Sequence, residues 1–157
     1  MRRSEREVAD KNEIFEILYG CQVIRVAFSG AGYPYVVPLS FGAEKAGDTI
    51  SVYFHCAADE GKKVSFIEKD DRVCVEADVF DGYHGEGIKI TTLYKSVIGF
   101  GKIEKCAGEE KIKGLRLLME HCGYKPEEET LKTCASFDKV AIYKITLDEV
   151  TGKKNVL

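Results

Sequence analysis

Hydrophobic and polar positions change their period along this 157-residue chain, first from helical to extended. Between residues 10 and 19 the apolar positions Ile14, Phe15, Ile17 and Leu18 recur at helical spacing. Asp10 followed three residues later by Glu13 is a capping-box variant that opens this helix, and Gly20 closes it. From Cys21 onward the period becomes two, the signature of half-buried strands. "CQVIRVAFSG" sets Ile24, Val26 and Phe28 against Arg25, and "SGAGYPY" supplies a turn into a second extended run, "YPYVVPLSF". Pro34 and Pro38 have no N–H to give a ladder, so this second strand belongs at a sheet edge or carries a bulge near Pro38.

A hairpin turn at Ala46-Gly47-Asp48 leads into "GDTISVYFHC", which puts Ile50, Val52, Phe54 and Cys56 on one face and Ser51, Tyr53 and His55 on the other. "RVCVEADVF" alternates again, and "LYKSVIGFGKIE" is a further strand whose Gly99 and Gly101 mark a bulge or tight bend. Between these two, "DGYHGEGIKITT" (81–92) reads as a loop. "GEEKIKGLRLLMEHCG" then carries Ile112, Leu115, Leu118, Met119 and Cys122 at helical spacing before Gly123, and "KVAIYKITLDEV" is a last strand. Short strands joined by turns, with only brief helices between, imply an antiparallel barrel rather than a parallel sheet with crossover helices. The expectation is a mainly β, α+β chain: one domain over 1–157, a helix at about 10–19, and a six-stranded antiparallel barrel over about 21–154 with short flanking helices.

Composition narrows the function classes. Charged residues make up 31% and hydrophobic ones 45%, as in ordinary globular chains. A net charge of −3, with no Lys/Arg run longer than two, leaves no electrostatic footprint for a nucleic-acid backbone. No apolar h-region follows the N-terminal arginines and no apolar run is long enough to span a bilayer, so the expectation is a cytoplasmic protein without membrane contact. The six cysteines have no C-x-x-C spacing and the three histidines no metal-ligand spacing, which implies free thiols and no metal site.

Candidate chemistry begins at "DEGKKVSF". With Asp59 as cap of a helix running to about Lys69, Lys62 and Lys63 fall in its first turn, where cations are unfavourable unless an anion joins them. Two readings stand: a phosphate held by ammonium and backbone N–H groups together, or a solvated face offset by Asp59 and Glu60. His55 lies on the polar side of its strand beside this helix, a candidate to position substrate or supply a proton. Ser40 and Ser96 are strand hydroxyls without a G-x-S-x-G elbow, and "GFGKIE" is not a dinucleotide fingerprint.

The order of "YPYVVPLSFG", "YFHCAADEGKKVSFIEKDDRVCVE" and "YKSVIGFGKIE", followed by a helix, resembles the pyridoxamine 5′-phosphate oxidase-like split-barrel flavoproteins, and among them the nitroimidazole-resistance (Nim-like) branch. The resemblance covers roughly Arg3 to Lys144. It implies an FMN-binding split barrel that dimerises, with FMN in clefts at the dimer interface. Carried across by motif, Val36, Val37, Pro38, Leu39 and Ser40 lie along the flavin ring, and Phe54 and His55, with Cys56 and Ala57 beside them, touch the flavin and ribityl region. Lys62 and Lys63 grip the phosphate, and Tyr94, Lys95, Ser96 and Val97 come from the partner subunit. Lys95-Ser96 stands where classical members have Arg-Gln. Ser40 replaces a basic residue, and the C-terminal Trp and Arg segment that binds pyridoxal phosphate is lacking, which points away from vitamin B6 oxidation. The implied activity is transfer of hydride or electrons from a reduced nicotinamide or other donor, through flavin, to a small flat acceptor such as a nitroaromatic. A non-catalytic flavin carrier, a haem-binding split barrel with His55 as iron ligand, and a barrel without cofactor are the alternatives.

Overall fold

A computed structural model describes residues 3–30, 32–57 and 61–157. After one 3₁₀ turn (Ser4–Arg6) the chain forms β1 (Glu7–Val8), α1 (Lys11–Tyr19), β2 (Ile24–Phe28), β3 (Tyr35–Leu39), β4 (Gly42–Ala46) and β5 (Thr49–Ala57). There follow α2 (Lys62–Ile67), β6 (Arg72–Glu86), β7 (Lys89–Lys105), α3 (Gly108–His121), α4 (Glu128–Ser136) and β8 (Val140–Asn155). Helix α1 begins as its sequence requires: the Asp10 carboxylate accepts from the Asn12 N–H at 2.6 Å, and Ile14, Ile17 and Leu18 are buried.

The sheet is antiparallel and has eight strands rather than the expected six. Seven run in the order β3-β2-β6-β7-β8-β5-β4, and β1 pairs with β8 at Gly152 and Lys153. The two strands not foreseen give weak signals. β1 has only two residues, and β4, Gly-Ala-Glu-Lys-Ala, holds none of the β-branched or aromatic residues that favour strands. β4 folds back on β5 through a two-residue turn in which Gly47 takes φ 59°, close to where the hairpin was expected.

β3 does lie at an edge, as its prolines demand, and its pairing with β2 runs unbroken from Ile24↔Leu39 to Phe28↔Tyr35, so Pro38 needs no bulge. The irregularity foreseen near Gly99 and Gly101 is present: pairing with β8 steps from Phe100↔Glu149 to Gly101↔Leu147, leaving Asp148 out of the ladder. A Cβ on Gly101 would stand 2.0 Å from the Thr146 carbonyl oxygen, which explains the glycine. Residues 81–92 correct the loop expectation. β6 and β7 continue as a two-stranded ribbon from Gly82↔Leu93 to Glu86↔Lys89, and three glycines in "DGYHGEG" had hidden its alternation.

The curled sheet buries both faces in different places. Ile24, Val26, Phe28, Val52, Phe54, Val75, Val97 and Ile145 form the barrel interior with Ile14, Ile17 and Leu18 of α1. On the other face of β5, α3 and α4 cover a second core of Tyr53, Cys106, Leu115, Leu131 and Ile142. Ser51 and Tyr53, expected on a polar face, are therefore buried. The Tyr53 hydroxyl lies 2.6 Å from Glu44 and 2.7 Å from Glu110, and its single proton serves one carboxylate at a time. Lys113 pairs with Glu44 and Lys144 donates to Glu110 at 3.1 Å, so the clasp between α3 and the sheet is charge-balanced. Burial first, and the two carboxylates next, push the Tyr53 hydroxyl far above its ordinary range, while the Tyr53 hydrogen bond holds Glu110 below the usual carboxylate range. All six cysteines are free, and burial pushes the Cys21 and Cys106 thiols up to about 11, so these two act as small core groups. No helix among the described residues is long and apolar enough to cross a membrane.

Candidate functional site

The lysine pair opens α2, whose N-cap is Gly61 at φ 123°, without a side-chain cap. Asp59, expected as the cap, lies outside the described residues. The helix ends at Ile67 instead of about Lys69, so it is under two turns long and its aligned peptide dipoles supply little field. Positive charge here comes from the ammonium groups. Phe66 anchors the helix by packing its ring on the backbone of Gly30, where a Cβ would come within 2.5 Å of it. Val64, Phe66 and Ile67 pack against the barrel interior, so α2 closes one end of the barrel.

Neighbouring helix positions point about 100° apart, and the two lysines accordingly reach different strands. Lys62 Nζ stands 4.5 Å from the ring centre of Tyr35 at the start of β3, and Lys63 Nζ 5.7 Å from that of Phe54 on β5. Tyr35 in turn packs on Phe66 at 5.2 Å, and Phe54 stacks on Tyr143 at 5.8 Å. Neither ammonium meets a carboxylate among the described residues. The structure thus gathers three of the sequence-predicted segments, the β3 run, Phe54 and the lysine pair, around one barrel end. Tyr35 is a member that sequence reasoning did not place at the site. Its signal was available, because alternation puts it on the same face as Val37 and Leu39.

Along β3 the side chains of Val37 and Leu39 turn inward while Val36, Pro38 and, just beyond the strand, Ser40 are exposed. β3 pairs with β2 on one side and leaves backbone groups unpaired on the other. Ser40 sits at the far end, beside Tyr19, Gln22 and His121, on the order of 17 Å from Tyr35 at 3.4 Å per residue. His55 departs from the expected grouping. Its side chain shares a face with Tyr53 and Ile142, towards α3, whereas Phe54 and Cys56 face the barrel interior. It is exposed, and the width of the strand separates it from Lys63. Burial pushes the Cys56 thiol up, and Lys63 offsets part of that.

Tyr94, Ser96 and Val97 lie on β7, which β2 and β6 separate from β3, about 14 Å across three strand spacings. Within one copy they do not meet the β3 run. Val97 packs into the interior, while Tyr94 and Ser96 look outward. The outward face is built from aligned rows: Val36–Ala27–Cys74–Phe100, then Pro38–Arg25–Glu76–Ile98. Arg25 sits centrally, donating to Glu76 at 2.9 Å and Asp78 at 2.7 Å. At the top of this face a cleft of about 650 Å³ is lined by Ser29, Pro34, Arg72, Cys74, Phe100 and Lys102, none of them among the site residues expected from the sequence. Among the described residues no group of His, Cys, Asp and Glu side chains is arranged to hold a metal ion.

The profile of the family described as pyridoxamine 5′-phosphate oxidase matches residues 10–154. Among curated proteins there is no match. Solved structures do share the architecture. A candidate 5-nitroimidazole antibiotic resistance protein from Bacteroides thetaiotaomicron superposes with a TM-score of 0.75 at 24% identity, over 94% of this chain and 85% of that one. An FAD-binding protein from Mesorhizobium loti gives 0.67 at 24% identity, over 96% and 98%. The flavocytochrome Anf3 from Azotobacter vinelandii gives 0.74 at 19% identity, over 100% and 72%. At these identities the likeness is one of fold, and it agrees with the mainly antiparallel split barrel described above. By the profile, which takes in nearly the whole chain, this protein belongs to the pyridoxamine 5′-phosphate oxidase family.

Proposed function

We propose that the chain is an FMN-binding oxidoreductase that works as a homodimer, with the phosphate of the cofactor on Lys62 and Lys63 and its ring along β3. The observation that carries this reading is the lysine pair. Two ammonium groups project from one short helix over Tyr35 and Phe54, with no carboxylate opposite them among the described residues, where an anionic ligand would complete the charge. The span from Tyr35 to Ser40, on the order of 17 Å, suits an extended molecule with a phosphate at one end and a flat ring at the other. Unpaired backbone groups on the open side of β3 offer partners to the polar rim of such a ring, and Val36 and Pro38 offer apolar contact to its face.

Flavin chemistry is also what solved relatives of this fold carry, in the FAD-binding protein and the flavocytochrome. When bound, the flavin supplies hydride and electron transfer, which suits a reduced nicotinamide donor and a small flat acceptor such as a nitroaromatic. The likeness to the nitroimidazole-resistance protein supports the choice of acceptor. The protein's own part is to bind, to orient and to keep water from the ring. Proton transfer is not assigned to His55, whose side chain faces α3. Dimerisation through the outward sheet face would bring Tyr94 and Ser96 of one copy towards the β3 edge of the other, which one copy cannot do alone.

The test is an absorption spectrum of the purified protein, followed by heat release and identification of any chromophore. Flavin bands with released FMN, and reoxidation of the reduced protein by a nitroaromatic, are expected. A colourless protein that fails to take up added FMN would overturn the proposal, and bound FMN that no acceptor reoxidises would reduce it to a flavin carrier.

A further inference from the structure

Among the described residues no third strand accompanies the ribbon formed by the ends of β6 and β7; only its base is tied to β8, where the Asn155 side chain donates to Thr91 Oγ1 at 3.1 Å and to the Thr92 carbonyl. β8 stops accompanying β7 at Tyr94↔Asn155, and the five pairs beyond that point project about 17 Å from the sheet as two strands alone. Two-stranded ribbons in water are marginal unless one face is covered. This one carries apolar side chains that nothing covers: Ile88 at its turn is 100% exposed, and Tyr83 and Ile90 are each 72% exposed.

Register decides where these residues face. Ile90, Thr92, Tyr94, Ser96, Ile98 and Phe100 follow one another on the same side of β7, and β7 has no extra residue along that stretch. The bulge lies in β6 at Asp81, and because Gly82 opposes Leu93, Tyr83 opposes Thr92 on that same side. Phe100, Ile98, Phe80, Tyr83 and Ile90 therefore lie in one apolar stripe, interrupted at the Asp78–Ser96 row, that leads from the outward sheet face onto the ribbon, where Phe80 and Tyr83 stack edge to face at 5.1 Å.

We propose that this ribbon is an arm that lies on a second copy of the chain, its Tyr83, Ile88 and Ile90 covered by the partner as the stripe continues into the interface between the two outward sheet faces. The inference rests on the dimer of the proposed function and names the element that holds it. Area argues for this occupant. The exposed large side chains of the sheet face, Val36, Ile98 and Phe100, offer on the order of 300 Å² of apolar surface, short of the roughly 800 Å² per partner of a stable interface. Adding the arm with Phe80 brings the apolar share to roughly 800 Å².

The experiment uses the full chain in sedimentation equilibrium across nanomolar to micromolar concentration, with Ile88→Glu/Ile90→Glu as the arm variant and Tyr124→Glu, an exposed residue beyond α3, as control. In parallel a benzophenone amino acid replaces Ile88 and the protein is irradiated. The expected result is a wild-type dimer, a dissociation constant raised about 100-fold or more in the arm variant and unchanged in the control, and a covalent dimer from position 88. A wild-type dimer whose affinity the arm variant leaves unchanged, or crosslinks that return only to the same chain, would overturn the arm while the dimer and its cofactor site stand. A wild type that stays monomeric throughout would overturn the arm and the dimer together, and the flavin spectrum then judges the cofactor by itself.

Discussion

Replacing Lys62 and Lys63 together by alanine tests the anion site at its charge. Lys62 is exposed and Lys63 half-buried, so each ammonium acts across a partly aqueous gap and contributes about 1–2 kcal/mol to a phosphate at contact distance. Losing both costs about 2–4 kcal/mol of binding, which is about 30- to 1,000-fold in affinity. The fold should survive, because what the body loses is two cation–aromatic contacts worth about 0.5–1 kcal/mol each at such exposure. Titrating FMN and riboflavin side by side, at constant ionic strength and read by flavin fluorescence, isolates the phosphate, the one group by which the two ligands differ. The wild type should prefer FMN by about the factor lost in the double variant, and the variant should bind both about equally. Raising salt should weaken FMN binding in the wild type and change it little in the variant. A preference for FMN that persists in the variant would refute the reasoning, even if overall affinity had fallen.

Three further outcomes follow from the packing. Tyr53→Phe removes the donor that Glu44 and Glu110 share and should cost about 1–2 kcal/mol in denaturant unfolding, the lysines of the clasp limiting the loss. Glu110→Gln should be less stable than the wild type at pH 7. Because the native structure holds Glu110 below its ordinary range, its contribution is present above about pH 4.5 and is lost as pH falls further, so the gap should close in acid; a gap constant with pH would be the contrary result. Gly42→Ala drives a Cβ to 2.3 Å from the Leu117 carbonyl carbon and 2.4 Å from the Leu118 nitrogen, so α3 must move off β4. A loss of about 1–3 kcal/mol is expected in thermal unfolding, and an unchanged midpoint would contradict the close approach.

Much of the fold was legible because single residues dictate their surroundings. The two prolines confined β3 to an edge, the Gly101 kink announced itself, and Asp10 with Gly20 bounded α1. Period-two alternation found the barrel interior as well, since Ile24, Val26 and Phe28 have nowhere else to go. The same pattern could not say what covers the other face of a strand. Tyr53 and Ser51 alternate as solvent-facing residues would, yet α3 lies over them, and only its own apolar stripe, Leu115 and Leu118, records that burial. β4 and the arm escaped for the opposite reason: pairing partners, not their alanines and glycines, hold them extended.

The candidate site shows where sequence adjacency misleads. Phe54 and His55 are neighbours in the chain, and a motif treats them as one unit, but one step along a strand reverses the face. Phe54 looks into the barrel towards Lys63 and His55 looks towards α3, so a reading that pairs the histidine with the phosphate joins groups on opposite sides of a sheet. In Lys62 and Lys63 adjacency works the other way. One helical step turns the second ammonium from β3 towards β5, and on the proposed function that divergence would let a six-residue helix tie two separate strands to a single anion. The geometry that matters at this barrel end is therefore set by the difference between two periods, two residues on the strand and 3.6 on the helix: a one-residue shift in the helix would swing the lysines off β3 and β5, whereas the same shift in β5 would also turn Val52 and Phe54 out of the barrel core.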